Sequence, residues 1–162
     1  MIYSKKLGTH IPITIECKKS ALGSLGTFTK YFVKDNKITI GHVNLIDTIT
    51  GVNVDYIENY HPDKYSGFGK IADQLEVEHC LKRGLTYFDI ISDGALNSHA
   101  LHYLRGKRFY SDYVNEKVER VIKATPPGEK YNTKFLGKQR MFMPQEVIEK
   151  YIEIIKKCPL LK

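Results

Sequence analysis

The sequence is poor in cysteine and has no long apolar run. Its 162 residues include three cysteines, Cys17, Cys80 and Cys158, and no two of them form a CxxC pair. A sparse, odd number of cysteines argues against a secreted disulfide framework and against a structural zinc site. No window of about 18 apolar residues occurs, so we predict no membrane-spanning helix. These absences favour a reducing compartment, and we expect a cytoplasmic protein.

The chain also lacks the features that divide or target proteins. We find no internal repeat, no long linker and no block of five or six like charges. The first six residues are followed by no apolar core of a signal peptide, so we expect none. A composition that is 42% hydrophobic and 27% charged excludes wholesale disorder. The length predicts a single domain spanning residues 1–162.

The net charge of +7 is unevenly distributed along the chain. Residues 61–114 are neutral overall, whereas residues 115–162 carry a net charge of +5. This excess fits either a solubilising surface or a footprint for an anionic partner.

The first sixty residues favour β-strands. Residues 11–15 alternate with period two, and β-rich runs at 27–33 and 38–46 flank a polar turn, which is typical of a hairpin. A further strand is predicted over residues 52–60, with Val54, Tyr56, Glu58 and Tyr60 on one face. These segments predict an antiparallel meander.

The period then becomes helical. Apolar residues from Phe68 onward follow helical spacing until Lys82-Arg83-Gly84, where cations and a glycine are typical of a helix end. The apolar run at 85–91 predicts a strand buried on both faces. Strand, helix and strand in this order predict that residues 52–60 and 85–91 are parallel neighbours. Asn97 is placed to cap a short helix that ends near Arg105.

The last third gives weaker signals. Residues 109–114 are predicted as a strand, residues 125–128 as a loop, and a further strand is expected within 135–143. Pro144 stands at the favoured first position of a helix. That helix places Val147, Ile148, Tyr151, Ile152 and Ile155 on one face.

The most informative segment joins the strand at 52–60 to the following helix. It contains Gly67-Phe68-Gly69, and its glycines would let a ligand approach the backbone closely. Free N–H groups of the first helical turn and the helix dipole favour an anion such as a phosphate. A G-x-G sequence alone is also typical of a tight turn. This one matches neither the dinucleotide fingerprint nor a P-loop.

In this context the sequence resembles the GNAT superfamily of acyl-CoA N-acyltransferases. The family's Q/R-x-x-G-x-G/A loop corresponds to residues 64–69, with Lys64 in place of Gln or Arg. Its N-x-x-A motif corresponds to Asn97 and Ala100, and Phe109 matches an aromatic position further on. The resemblance covers residues 52–110 and implies an α/β (α+β) fold. In that fold, flanking helices surround a mixed, mostly antiparallel central sheet with a splayed parallel pair of strands.

The resemblance implies that acetyl-CoA is the cofactor. Tyr60 and His61 would offer a backbone edge to its pantetheine arm, and Lys64 would help to neutralise phosphate. The arm would also contact Asn97, whose other role is that of a helix cap. The N–H groups that would hold the pyrophosphate belong to Gly67, Phe68, Gly69 and Lys70.

The implied chemistry is acetyl transfer to a primary amine by direct attack on the thioester. Glu58 is the expected base, because its side chain shares a face with Tyr60; Asp55, on the opposite face, is the fallback. The family's usual acid is a tyrosine at the position that Leu104 occupies here, so the adjacent Tyr103 is the candidate. We expect no metal.

The acceptor is open: it is an amine on a small molecule, a protein or an aminoacyl-tRNA. A homodimer is also left open. The alternative function is a basic module for RNA or another anionic partner on a degenerate acyltransferase core. Cys80 is expected to be a packing residue, and His99 and His102 to lie on the surface or in a substrate cleft.

Overall fold

A computed structural model describes residues 1–49, 51–84, 89–92 and 98–162. The chain forms two compact units. The first comprises residues 1–88 with 150–162, and the second comprises residues 89–149. The expectation of one domain over residues 1–162 stays a prediction.

The first unit contains the predicted antiparallel meander. Four strands, β3 (Thr14–Ala21), β4 (Thr27–Asp35), β5 (Ile38–Asp47) and β6 (Val52–Asn59), lie in this order, and each pairs with its neighbour in antiparallel register. Alternating β-branched and aromatic side chains favour this arrangement, because one face of each strand can then be buried.

A second, small sheet belongs to the same unit. It is formed by β1 (Ile2–Ser4), β2 (Thr9–Ile11) and the two-residue β7 (Tyr65–Ser66), with β1 in the middle. The continuous strand predicted for residues 11–15 was wrong, since β2 ends at Ile11 and β3 begins at Thr14. Pro12 has no N–H to donate, so it interrupts the ladder.

A bulge changes which side chains of β6 share a face. Leu45 pairs with Val54, whereas the preceding Asn44 pairs with Tyr56, so Asp55 is an extra residue on β6. The prediction that Val54 shares a face with Tyr56 and Glu58 was therefore wrong. Val54 is buried with Leu45, and Tyr56 is 46% exposed on the opposite face.

Helix α1 (Phe68–Lys82) confirms the predicted helix and its end, since Gly84 follows with a φ of +70°. A buried hydrogen-bonded chain holds it to the sheet. His79 Nε2 lies 2.5 Å from Asp47 Oδ1, and Tyr31 Oη lies 2.7 Å from His79 Nδ1. Arg83 reaches the same Asp47 oxygen at 3.0 Å. Removing one partner would leave a buried polar group unpaired, at a cost of about 3 kcal/mol.

Gly41 lets the first turn of α1 approach β5. A Cβ at this position would clash with the backbone carbonyl oxygen of Glu58 and would lie 2.8 Å from the Phe68 ring. The Phe68 ring thus packs directly on the Gly41 backbone, and Phe68 is buried. This contact places the start of α1 beside the end of β6.

In the second unit, the strands β8 (Asp89–Ser92), β10 (Gln139–Phe142) and β9 (Arg108–Phe109) pair in that order, each antiparallel to its neighbour. The predicted strand over residues 109–114 was wrong beyond Phe109. Ser111 Oγ accepts the N–H of Val114 and caps a helix, whose buried face includes Val114 and Val118. The elements are β8 (Asp89–Ser92), α2 (Ser98–Leu104), β9 (Arg108–Phe109), α3 (Asp112–Ala124) and β10 (Gln139–Phe142).

Helix α4 (Gln145–Lys157) begins after Pro144, as predicted. Its residues from Lys150 onward count with the first unit. Val147, Ile148 and Tyr151 are buried along the predicted apolar face. The Tyr151 hydroxyl donates to Asp73 Oδ2 of α1 at 3.2 Å, which gives this carboxylate a partner in the core.

The predicted fold class is confirmed: helices flank mostly antiparallel sheets in a mixed α+β protein. The parallel pairing of residues 52–60 with 85–91 stays a prediction, because residues 85–88 lie outside the described residues. Within the described ranges, no helix is both long and apolar enough to cross a membrane.

Candidate active site

The segment between β6 and α1 is a tightly bonded turn. The carbonyl of His61 accepts the N–H groups of Lys64 and Tyr65, both at 3.0 Å. The Tyr65 hydroxyl donates to Asp35 Oδ2 at 2.9 Å, and its pKa is raised mainly by burial and also by this bond. The N–H of Lys5 donates to the carbonyl of Lys64 at 2.9 Å. These bonds fix the position from which α1 starts.

Gly67 forms the N-terminal boundary of α1 in a left-handed conformation, with a φ of +87°. A Cβ there would meet no atom within 4 Å, so glycine is required by the backbone conformation and the space beside it is open. No side chain among the described residues caps this end. The first turn of a helix has N–H groups without intrahelical acceptors, so Phe68 and Gly69 can donate to an anion.

The structure uses one of the predicted N–H groups internally. Lys70 N–H donates to the carbonyl of Gly67 at 3.1 Å, in a bond that tightens the first turn. The side chains of Lys64 and Lys70 are exposed. Lys5 adds a third cation that sequence reasoning missed: its Nζ donates to the carbonyl of Pro62 at 2.8 Å.

Tyr60 and His61 were predicted to offer a backbone edge. The N–H of Tyr60 donates to the carbonyl of Ile40 at 2.8 Å, and that of His61 donates to Asn59 Oδ1 at 3.0 Å. Both N–H groups therefore have partners within the first unit, and the role of this edge stays a prediction.

Glu58 and Tyr60 converge on a histidine that the sequence did not single out. His42 lies directly opposite Glu58 in the β5–β6 ladder, and Glu58 Oε2 is 3.9 Å from His42 Nδ1. The Tyr60 hydroxyl lies 2.6 Å from the same nitrogen. The imidazole is buried, whereas the side chain of Glu58 is 45% exposed and Tyr60 is 41% exposed. We call these three residues the His42 cluster.

Local electrostatics keep the imidazole of His42 neutral and able to accept a hydrogen bond. Burial lowers the pKa of His42 below its ordinary value of 6.5, Lys30 lowers it further, and Glu58 opposes the shift. Burial, Glu58 and Tyr56 raise the pKa of the Tyr60 hydroxyl. At neutral pH the hydroxyl thus keeps its proton and donates it to the neutral imidazole. The side chain of Glu58 is accessible and lies beside this oriented hydroxyl.

The cluster was missed because it depends on strand register. His42 is an isolated histidine in an apolar run, and only the position of the bulge brings Glu58 opposite it. The one signal in the sequence was the two-residue period of β5, which puts His42 on the same face as Asn44.

The remaining predicted site residues belong to the second unit or lie outside the residues that the structure describes. Tyr103 is partly buried on α2, with the guanidinium of Arg108 4.2 Å from its ring centre. Leu104, at the position where the family's acid is expected, is 53% exposed. Asn97 lies outside the described residues.

Other candidate residues are structural. Burial raises the pKa of the Cys80 thiol to about 12, which leaves it a protonated packing residue. The prediction that His99 is exposed or in a cleft was wrong, since it is buried and stacks on Phe109 with ring centres 5.3 Å apart. The part of the chain that the structure describes contains no group of three or more residues that could hold a metal ion.

No protein-family model matches the chain, and no curated protein matches it either. Solved structures do. An acetyltransferase from Bacillus subtilis in complex with CoA superposes with a TM-score of 0.55 at 14% identity, over 82% of this chain and 98% of that chain. The chain has a GNAT-like acyltransferase fold.

Two further structures are similar at lower TM-scores. A GNAT family acetyltransferase from Elizabethkingia anophelis with acetyl-CoA bound gives a TM-score of 0.49 at 13% identity, over 80% of this chain and 97% of that chain. An IAA acetyltransferase from Bacillus cereus gives a TM-score of 0.47 at 21% identity, over 72% of this chain and 77% of that chain. In this GNAT-like fold, the predicted anion loop is the junction between β6 and α1, and the His42 cluster lies on β5 and at the end of β6.

The His42 cluster predicts an order of imidazole pKa values that NMR titration can measure. The midpoint of His42 should lie below 6.5 in the unmodified protein. Lys30→Met should raise it, because a neighbouring cation is lost. Glu58→Gln should lower it further, because the carboxylate that favours the imidazolium is lost. Lys19→Met, on the opposite face of β3, is the control and should leave it unchanged. A rise in Glu58→Gln would contradict the arrangement.

Proposed function

We propose that the protein is an N-acetyltransferase that moves an acetyl group from acetyl-CoA to a primary amine. The observation that carries the proposal is the proximity of two features in the stretch from Glu58 to Lys70. The Glu58 carboxylate lies beside a buried, neutral imidazole near the end of one strand, and an uncapped helix start that opens with Gly67 follows nine residues later. The fold supports the same reading, and the similar structure from B. subtilis contains CoA.

The cofactor's pyrophosphate would accept hydrogen bonds from the N–H groups of Gly67, Phe68 and Gly69. Lys70 would contribute its charge, since its N–H is already bonded to Gly67. The open space at Gly67 and the absence of a capping side chain in the described residues fit a bound anion. The dipole of α1 adds about half a positive charge at this end.

Other groups around the loop would complete the cofactor site. Lys64 and Lys5 lie at the turn and would screen phosphate charge as point charges. A pantetheine amide that pairs with the edge of β6 would have to displace Asn59 from the N–H of His61. The proposed contacts of Tyr60 through its backbone and of Asn97 through its side chain come from the family resemblance.

On the acceptor side, Glu58 would remove the proton of the attacking amine, directly or through one water. Tyr60, held by His42, would orient that amine through its hydroxyl oxygen. When bound, acetyl-CoA would supply the thioester whose carbonyl carbon the amine attacks, with CoA leaving as the thiolate. Tyr103 is the proposed acid for the departing thiolate, on the basis of its position in the motif. A thiolate leaves readily even without an acid, so the base Glu58 would contribute more to the rate than the acid Tyr103.

Nothing in the described residues favours the alternative of an RNA-binding module. Two cations of the basic C-terminal third are engaged within α3: Arg120 lies 3.8 Å from Glu116, and Lys123 lies 2.8 Å from Glu119. These pairs lower the charge that the helix presents to an anionic partner.

The cofactor site predicts that Gly67→Asp lowers the affinity for acetyl-CoA at least about a hundredfold, because a carboxylate would occupy the phosphate position. Isothermal titration calorimetry measures this. Gly84→Asp is the matched control: Gly84 also has positive φ and open space, but it follows the other end of α1. It should incur similar strain and leave the affinity unchanged. Equal affinities in the two variants would show that the loop is only a turn.

The proposed base predicts that Glu58→Gln lowers kcat about a hundredfold or more. The affinity for acetyl-CoA should change by less than about twofold, because Glu58 does not bind the phosphates. Initial rates of CoA release with the best amine from an acceptor screen provide the measurement. Asp55→Asn tests the fallback base and should leave kcat within about twofold of the unmodified enzyme. A larger loss in Asp55→Asn than in Glu58→Gln would assign the base to Asp55.

A further inference from the structure

One face of the meander β3–β6 carries an ordered row of charges and rings. Tyr31 and Gly41 contact α1, so their neighbours Phe32 and His42 point to the opposite face. Directly paired residues share a face, and the ladder continues this row across the sheet. We call it the His42 face, formed by Lys30, Phe32, His42, Asn44, Tyr56 and Glu58.

The two ends of the His42 face have opposite charge. Lys30 Nζ lies 5.1 Å from the centre of the Phe32 ring, and Lys18 Nζ lies 5.2 Å from the same ring. Phe32 and His42 are neighbours, with ring centres 6.2 Å apart, and the carboxylate of Glu58 lies beyond His42. Strands are spaced about 4.8 Å apart, so β4 and β6, which carry the cation and the carboxylate, are about 10 Å apart.

The cation at this end is available to a ligand. Lys18 lies 3.7 Å from Glu16, and Lys34 also pairs with Glu16. Among the described residues, no carboxylate forms a salt bridge with Lys30, which contacts the face of Phe32 instead. A ligand anion would therefore give Lys30 a partner of opposite charge.

A buried acceptor on the same face lacks a donor. Asn44 is 8% exposed, and its Oδ1 has no hydrogen-bond partner within the described part of the chain. In the ladder it stands between Lys30 and Tyr56. A buried polar atom without a partner is costly, so this oxygen marks a position on the face that lacks a hydrogen-bond donor.

We propose that the His42 face binds the acceptor as a zwitterion: a primary amine with a carboxylate at its far end and a flat or apolar body between. The amine lies at Glu58 and Tyr60, the body lies over the buried His42 between the rings of Phe32 and Tyr56, and the carboxylate lies at Lys30. This inference rests on the proposed acetyltransferase function and names its substrate class. A diamine would place a second cation against Lys30 and Lys18, so it is disfavoured.

Three rigid amines of one shape test the proposal: 4-(aminomethyl)benzoic acid, 4-methylbenzylamine and 1,4-bis(aminomethyl)benzene. They differ only in whether the far end is anionic, neutral or cationic. We expect kcat/KM for the acid to exceed that of the methyl compound at least tenfold, with the diamine lowest. Rates are measured as CoA release. Binding of each amine without acetyl-CoA is measured by calorimetry.

Variants at Lys30 test whether this residue causes the preference for the acid. Lys30→Met keeps the apolar stem over Phe32 and should reduce the preference for the acid to less than threefold. Lys30→Glu should reverse it in favour of the diamine. Lys19→Met removes an exposed cation from the opposite face of β3 and should leave the preference unchanged. Thermal melts confirm that each variant is folded.

The outcomes separate this inference from the function on which it rests. If acetyl-CoA binds but the three amines react within threefold of one another, or the diamine is preferred, the zwitterion proposal is overturned and the acetyltransferase proposal stands. A preference that survives in Lys30→Met also overturns it. If acetyl-CoA does not bind at all, the function is overturned and the acceptor assignment is overturned with it.

Discussion

The candidate site depends on how α1 is held against the sheet. Its first turn can approach β5 only because Gly41 has no side chain, and the ring of Phe68 fills that place. Further along, His79 joins Asp47 and Tyr31 in a buried chain of hydrogen bonds. Two anchors along the helix fix its axis, and the axis decides where its free N–H groups point. A looser helix would lose the anion site while keeping its sequence motif.

The elements that local patterns specify could be predicted from the sequence. Helix α1 was predictable because its helical spacing and the cations and glycine at its end agree. The break at Pro12 was missed because the alternation around it suggested one strand. Helix α3 was missed because its first residues have β-rich character, and the cap at Ser111 outweighed it. Local propensity decides such segments only when no cap or ladder competes.

The chemistry of the site was predictable only in part. The loop at Gly67 has a short, local signature, so the resemblance located it. The His42 cluster depends on a bulge that moves Val54 to one face and Glu58 to the other. No single-sequence pattern gives the register of a ladder, because a shift by one residue exchanges the two faces. The overall charge of +7 was a poor guide: the useful cations are individual residues, such as Lys5 and Lys30, defined by their neighbours.

The central claim is that the start of α1 holds the cofactor's pyrophosphate through backbone N–H groups. Backbone amide NMR during a titration with CoA tests it most directly. The account predicts that the largest shifts occur at the amides of Phe68 and Gly69, with Gly84 at the other end of the helix unaffected. Shifts centred on the basic C-terminal third, with Phe68 and Gly69 unchanged, would contradict it.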